Sequence, residues 1–221
     1  MVSIDNAKNI LKAFFHKPTK SMYIREVEKE CELSYERVQH YLNELEKAGA
    51  LKSAKRGKIK EYTINRRHGL VLKIFSLLEM ERRQKFYKKN SKLQVWLQNV
   101  VDALLSDESI KKSVGKTISD VKFILLFGSA ARGESRVESD IDLLIAVNNK
   151  DSKFEEYVNT AVKKRMDALT GKKFSMHIVD MDELRTRWAK ESVYSTIWLD
   201  HIVLYGDENF WMEVLEMGEP I

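Results

Sequence analysis

The stretch Val121-Lys122-Phe123-Ile124-Leu125-Leu126-Phe127-Gly128-Ser129 is followed, after ten intervening residues, by Asp140-Ile141-Asp142-Leu143-Leu144-Ile145-Ala146-Val147. Together they decide how the second half of the chain folds. Apart from Lys122, the first run is β-branched, aliphatic or aromatic and reads as a buried strand ending at Gly128-Ser129; the second run reads as another strand. Side chains alternate along a strand, so Asp140 and Asp142 point to the same side at one strand end. Two such carboxylates repel each other unless a divalent cation joins them, and hard oxygen ligands suit Mg²⁺. A glycine at the first strand's end lets a phosphate approach the backbone. Ser129 beside it offers a hydroxyl and an amide to the terminal phosphates of a nucleoside triphosphate.

Downstream, Asp151 to Thr170 reads as a helix with Phe154, Tyr157, Val158, Ala161, Val162 and Met166 inward. Lys173 to Asp180 reads as a third strand, with Asp180 placed to cap the helix that follows. Glu191 to Asp200 reads as helical, and His201 to Gly206 as a closing strand. Trp188, Trp198, Phe210 and Trp211 are expected in cores. Upstream, Leu93 to Leu105 has helical periodicity. From Gly69 to Phe86 the apolar positions are too dense for a single stripe and give way to a basic run at 82–89. This connecting helix either packs against a second copy of the chain or covers its own core.

In the first third, apolar spacing predicts helices over Ile4 to Phe15, around Ile24 to Cys31, and from Ser34 to Ala48 before Gly49. The runs 51–54 and 59–64 about Lys55-Arg56-Gly57-Lys58 predict a β-hairpin.

The chain has 221 residues, 43% hydrophobic and 32% charged, a balance that excludes a disordered chain and a membrane bundle. Its apolar runs fall far short of the roughly 20 residues a membrane span needs, so a soluble protein with no membrane partner is expected. Cys31 is the single cysteine and Met1-Val2-Ser3-Ile4-Asp5 has no secretory pattern, so a cytoplasmic location is expected. Residues 1–67 carry 15 basic against 9 acidic side chains, 68–90 carry 6 against 2, and 91–221 carry 17 against 22. A basic first third and an acidic remainder predict two modules, the first with a polyanionic partner.

The run Ser34-Tyr35-Glu36-Arg37-Val38-Gln39-His40-Tyr41-Leu42-Asn43-Glu44-Leu45-Glu46-Lys47-Ala48-Gly49-Ala50-Leu51, leading into the basic hairpin, resembles a winged-helix DNA-binding domain of the prokaryotic regulator type. The resemblance covers about the first 65 residues. It implies a partner of double-stranded DNA, with Ser34, Tyr35, Arg37, Gln39, His40 and Asn43 facing the major groove. Lys52, Lys55, Arg56, Lys58 and Lys60 would meet phosphates. A solvated hairpin on a domain that only dimerises is the alternative.

Gly128, Ser129, Ala131, Arg132, Gly133, Ser139, Asp140, Asp142 and Leu143 resemble the motif of the nucleotidyltransferase superfamily with the DNA polymerase β type of palm, in particular its minimal prokaryotic members. The resemblance runs from about Ser91 to the end. It implies transfer of a nucleoside monophosphate from an NTP, with ATP the expected donor, to a hydroxyl. Gly128, Ser129, Arg132, Gly133 and Ser139 would hold the nucleotide, and Asp140 and Asp142 would be catalytic and bind Mg²⁺ or Mn²⁺. The family's third carboxylate aligns with His177, a metal ligand or base in this reading and a hydrogen-bonded strand residue in the other. Minimal members similar to this one act as antitoxins that modify a helical toxin ribonuclease. The resemblance therefore implies a toxin-like protein partner, with the winged helix repressing a shared operon.

The expected fold is α+β: a winged helix-turn-helix at 1–67, a connecting helix and possible homodimer contact at 68–90, and an α/β nucleotidyltransferase domain with a mixed sheet at 91–221. The competing function is a transcription regulator whose degenerate transferase domain senses a nucleotide or binds a partner.

Overall fold

A computed structural model describes residues 2–106, 121–134, 139–218 and 220. The Ser135-Arg136-Val137-Glu138 part of the loop between the two motif strands lies outside the described residues. The chain forms two compact units, Met1–Glu79 with Trp211–Glu219, and Met80–Phe210 with Pro220–Ile221. This division by packing differs from the division by sequence: the boundary falls within one long helix, and most of the last helix belongs to the first unit.

In the first unit α1 (Ile4–Phe15) is capped by Ser3, whose side chain accepts from the Asn6 N–H, and buries Ala7, Ile10, Leu11 and Phe14. After the two-residue strand β1 (Met22–Tyr23), α2 (Ile24–Glu30) is held at its start by Glu26, which accepts from the Tyr23 N–H at 2.9 Å. The spacing of Val38, Leu42 and Leu45 gives α3 (Tyr35–Lys47) one buried stripe. The expected hairpin follows as β2 (Leu51–Arg56) and β3 (Ile59–Ile64), with Arg56 opposite Ile59 across a two-residue turn. β1 joins it to give an antiparallel sheet in the order β1-β3-β2. The helix α4 (Gly69–Lys89) begins in this unit, where Val71, Ile74 and Phe75 are buried. Phe15, Phe75 and Trp211 form an aromatic cluster with centroids 4.8–5.5 Å apart.

The second unit is built on a mixed four-stranded sheet, β6-β5-β4-β7, formed by β4 (Val121–Phe127), β5 (Ile141–Val147), β6 (Phe174–Asp180) and β7 (Ile202–Tyr205). β4 is antiparallel to β5 and to β7, whereas β5 and β6 are parallel. A parallel pair needs a crossover. Here it is a helical segment in three parts: α7 (Ser152–Tyr157), a π-helical turn (Val158–Val162) and α8 (Lys163–Thr170). The single helix expected over 151–170 is therefore interrupted by a wider turn at its centre.

One sheet face carries Ile124, Leu126, Ile141, Leu143, Ile145, Phe174, Met176 and Ile178. These pack with Leu97, Val100 and Leu104 of α5 (Ser91–Ser106) and with Phe154, Val158, Val162 and Met166 of the crossover. The short α6 (Gly128–Arg132) follows β4 directly, and α9 (Met181–Trp188) and α10 (Ser192–Asp200) separate β6 from β7. Trp188 and Phe210 are fully buried as expected, while Trp198 is only partly so. Arg83 ties the second half of α4 to the start of α11 (Asp207–Met217), donating to Asp207 at 2.8 Å and to the Val203 carbonyl. Among the described residues no helix is long and apolar enough to cross a membrane. The whole is a mixed α+β structure with open sheets, consistent with an α/β nucleotidyltransferase domain in the second unit.

Candidate functional site

The end of β4 and the start of β5 meet where the two motif halves converge, because antiparallel pairing sets Phe127 opposite Asp142. Gly128 follows with φ +73°, a conformation that side-chain-bearing residues rarely adopt. A Cβ added to it would lie 2.7 Å from Asp142 Oδ2. The space that this glycine leaves is therefore filled by the carboxylate, and the start of α6 at Gly128 lies against Asp142. Gly133, also left-handed at φ +74°, ends α6 and turns the chain away.

Asp140 is exposed immediately before β5 and Asp142 is half-buried on it. Burial pushes the Asp142 carboxyl upward from its ordinary value; nearby His177 opposes the shift and the negative charge of Asp140 adds to it. An anion held in this way favours a counter-cation. The donor set is two hard carboxylates, and among the described residues no group of three or more His, Cys, Asp or Glu side chains gathers to hold a metal. The pair fits one divalent ion completed by phosphate and water oxygens, an arrangement Mg²⁺ accepts readily. It does not fit an all-protein cage.

The parallel register puts Ser175, not His177, directly across from Asp142; His177 faces Leu144, one step further along the sheet. His177 is exposed, its Nε2 lies 3.1 Å from Ser175 Oγ, and its ring lies 5.8 Å from that of Phe127. Beside it opens a cavity of about 400 Å³ whose wall includes Phe127, His177, Tyr194 and Ile197. Asp180 caps α9, accepting from the Glu183 N–H at 2.7 Å, the role its sequence position implied. Ser175 and Phe127 were not singled out in the sequence. Counting back two residues from His177 would have found Ser175, whereas the Phe127–His177 contact needs the register of three strands.

The expected nucleotide-binding residues fall on α6, at its end and just before β5, and are not equally available. Ser129 is half-buried at the start of α6, and Ser139 precedes Asp140. Arg132 is exposed and already engaged: Nε donates to Glu134 Oε2 at 2.8 Å and Nη1 to Asp200 Oδ2 at 3.1 Å. A phosphate would have to compete with both carboxylates.

In the first unit, Ser34, Arg37, Gln39 and His40 lie exposed on or beside α3. Tyr35 lies under the Arg25 guanidinium at 4.6 Å, and Asn43 accepts from the Tyr62 hydroxyl at 3.3 Å, so neither is a free reader. Lys55, Arg56 and Lys58 are exposed at the hairpin tip, with Arg56 loosely paired to Glu61 at 3.9 Å. Lys60 donates to Glu46 at 2.7 Å and lies near the Tyr62 ring, so a phosphate there would have to compete with that carboxylate.

Residues 108–201 match the family model described as polymerase beta, nucleotidyltransferase. The match covers the two motif strands, the crossover and β6, and supports nucleotidyl transfer as the general chemistry of the second unit. A search of curated proteins finds no match. A solved structure of TrmBL2, an archaeal chromatin protein described as showing a novel mode of DNA binding, is similar at 13% identity. It covers 89% of this chain and 72% of that chain at a TM-score of 0.26, too low to bear on fold or function.

Proposed function

We propose that the second unit transfers a nucleoside monophosphate from an NTP, with ATP the expected donor, to a hydroxyl group. The observation that supports this reading is the approach of Gly128, at the start of α6, to the Asp142 carboxylate, which brings the residues read as phosphate-binding beside those read as metal-binding. Asp140 and Asp142 would hold one Mg²⁺ or Mn²⁺, whose contribution when bound is to neutralise charge developing on the phosphates. Ser129 would bind the terminal phosphates through its hydroxyl and amide. The acceptor oxygen attacks the α-phosphorus, the bond from that phosphorus to the bridging oxygen breaks, and pyrophosphate leaves with the electron pair. His177 would take the acceptor's proton, since a neutral imidazole can act as a base.

The first unit is read as a winged helix that binds duplex DNA through Ser34, Arg37, Gln39 and His40 and through the hairpin cations. The acceptor is read as a protein, a helical toxin-like partner, and the chain as a cytoplasmic homodimer. A second reading has its own support: the face that carries Asp142 has no third carboxylate among the described residues of β6, as a regulator with a degenerate transferase domain would show. Incubation with α-labelled ATP, Mg²⁺ or Mn²⁺, and candidate acceptors decides between them. Label transfer abolished by Asp142→Asn supports the transferase; nucleotide binding without transfer under every metal supports the regulator.

A further inference from the structure

The first unit contains a cavity that the chemistry above does not use, apart from Lys52 on its rim, which is also one of the expected phosphate contacts. It has a volume of about 680 Å³ and lies among the end of β3, the turn at 65–68, the first turn of α4 and the last turns of α11. That volume falls within the roughly 300–1,000 Å³ typical of small-molecule pockets.

Its lining has two parts. Ile64, Leu72, Met212 and Leu215 supply an apolar floor. Met212 is 50% exposed, so its flexible thioether is free to adapt to an apolar body that covers it. Lys52, Arg66 and Arg67 supply a cationic rim, opposed among the lining residues by Glu216 alone; His68 stands between them with Nδ1 accepting from the Leu70 N–H and Nε2 facing the Ala48 carbonyl. Lys52, Arg66 and Arg67 are exposed, and among the described residues none has an ion-pair partner. Cations that served only to solubilise the surface would need no apolar floor, and a groove for an apolar partner would not need three permanent positive charges around it. A phosphate backbone would use the rim and leave the floor bare.

We propose that this cavity binds an amphipathic organic anion: one carboxylate, phosphate or sulfonate head held by Arg66, Arg67 and Lys52, with an apolar body lying on Met212, Leu72 and Leu215. The site is independent of the transferase reading and stands or falls without it.

The experiment uses the full chain and the fluorescent probe 8-anilinonaphthalene-1-sulfonate, displaced in turn by octanoate, octanol and inorganic phosphate. The expected result is saturable binding of one probe per chain, with octanoate displacing it at concentrations at least about tenfold lower than octanol or phosphate, since a charge-assisted contact is worth that much. Arg66→Glu with Arg67→Glu should weaken the probe by about tenfold or more, while Lys55→Glu with Lys58→Glu leaves it unchanged. Equal displacement by octanol would mean a merely apolar groove, and equal displacement by phosphate an adventitious ion only. Either result, or unchanged affinity in the Arg66/Arg67 variant, overturns the proposal. Should the charge reversal fail to fold, Arg66→Gln with Arg67→Gln is read in the same way, and the displacement series on the unaltered protein decides by itself.

Discussion

Gly128 and Asp142 approach so closely that a methyl group on the glycine would lie 2.7 Å from the aspartate's Oδ2. The two motif halves, separated in sequence by the loop, are thus fitted to each other and not merely near each other. Gly206, by contrast, would drive a Cβ into the Lys122 carbonyl oxygen, a purely structural constraint on the end of β7. The first approach belongs to the site and the second to the scaffold, and substitutions separate them.

Gly128→Ala should cost about 1–3 kcal/mol of stability for the left-handed backbone alone, plus the displacement of Asp142. Adding Asp142→Ala should return the part due to the clash and leave the backbone part. The two contributions are read from a double-mutant cycle of thermal melts. Strict additivity would show that the carboxylate moves aside freely.

Asp142 titrates above its ordinary value because it is partly buried beside Asp140. A carboxyl whose folded pKa is raised favours the folded state while protonated, and that advantage is lost as pH rises from the unfolded pKa through the folded one. Without metal, Asp142→Asn should therefore raise the melting temperature at neutral pH, with the gain shrinking as pH falls toward the carboxylate range. Added Mg²⁺ or Mn²⁺ should stabilise the unaltered protein and not the variant. A variant that melts earlier at neutral pH would contradict the assignment.

Because Ser175 lies across from Asp142 and His177 across from Leu144, Ser175→Asp should strengthen Mn²⁺ binding more than His177→Asp does. Calorimetric titration measures both. Asp180→Ala serves as the contrast, expected to lose about 0.5–2 kcal/mol as a helix cap while leaving metal affinity unchanged. If His177→Asp proves the stronger binder, the register does not decide the third position.

For the first unit, neutralising Lys55, Arg56 and Lys58 together should reduce the salt dependence of duplex DNA binding by about 0.9 logarithmic units for each phosphate no longer engaged. Lys60→Gln should do much less, because Glu46 already holds that ammonium. Arg37→Ala should alter sequence preference more than the salt slope. Filter binding or anisotropy over a salt series distinguishes these, and equal slopes for the Lys60 and hairpin-tip variants would refute the division.

Cys31 is buried, its thiol pushed up to about 11 by that burial and hydrogen-bonded to the Asn9 carbonyl. The native protein should react with a disulfide reagent at pH 8 far more slowly than the unfolded chain, since only the thiolate attacks. A fast native reaction would mean that α1 and α2 separate readily.

The sequence by itself determined most of the elements and their periodicity, but not the short β1, the helix α6 or the π-helical turn within 151–170. Val38, Leu42 and Leu45 repeat at helical spacing, the 51–64 region alternates about a glycine turn, and the motif strands are bounded by Gly128 and by the Asp140–Asp142 pair. Each of these rests on contacts within a few residues, so local pattern is enough. The same locality made Asp180 legible as a cap, because cap and capped N–H are three residues apart. Tertiary structure decided what depends on partners distant in the chain. The β5–β6 register chose Ser175 over His177 as the neighbour of Asp142, Asp200 reached back to occupy Arg132, and Glu46 on α3 took Lys60 from the hairpin. Ser175 and His177 share one face of β6, so the alternation of the strand cannot choose between them, and only the pairing with β5 does. The charges on Arg132 and Lys60 are visible in the sequence, and only the fold shows the carboxylates they face.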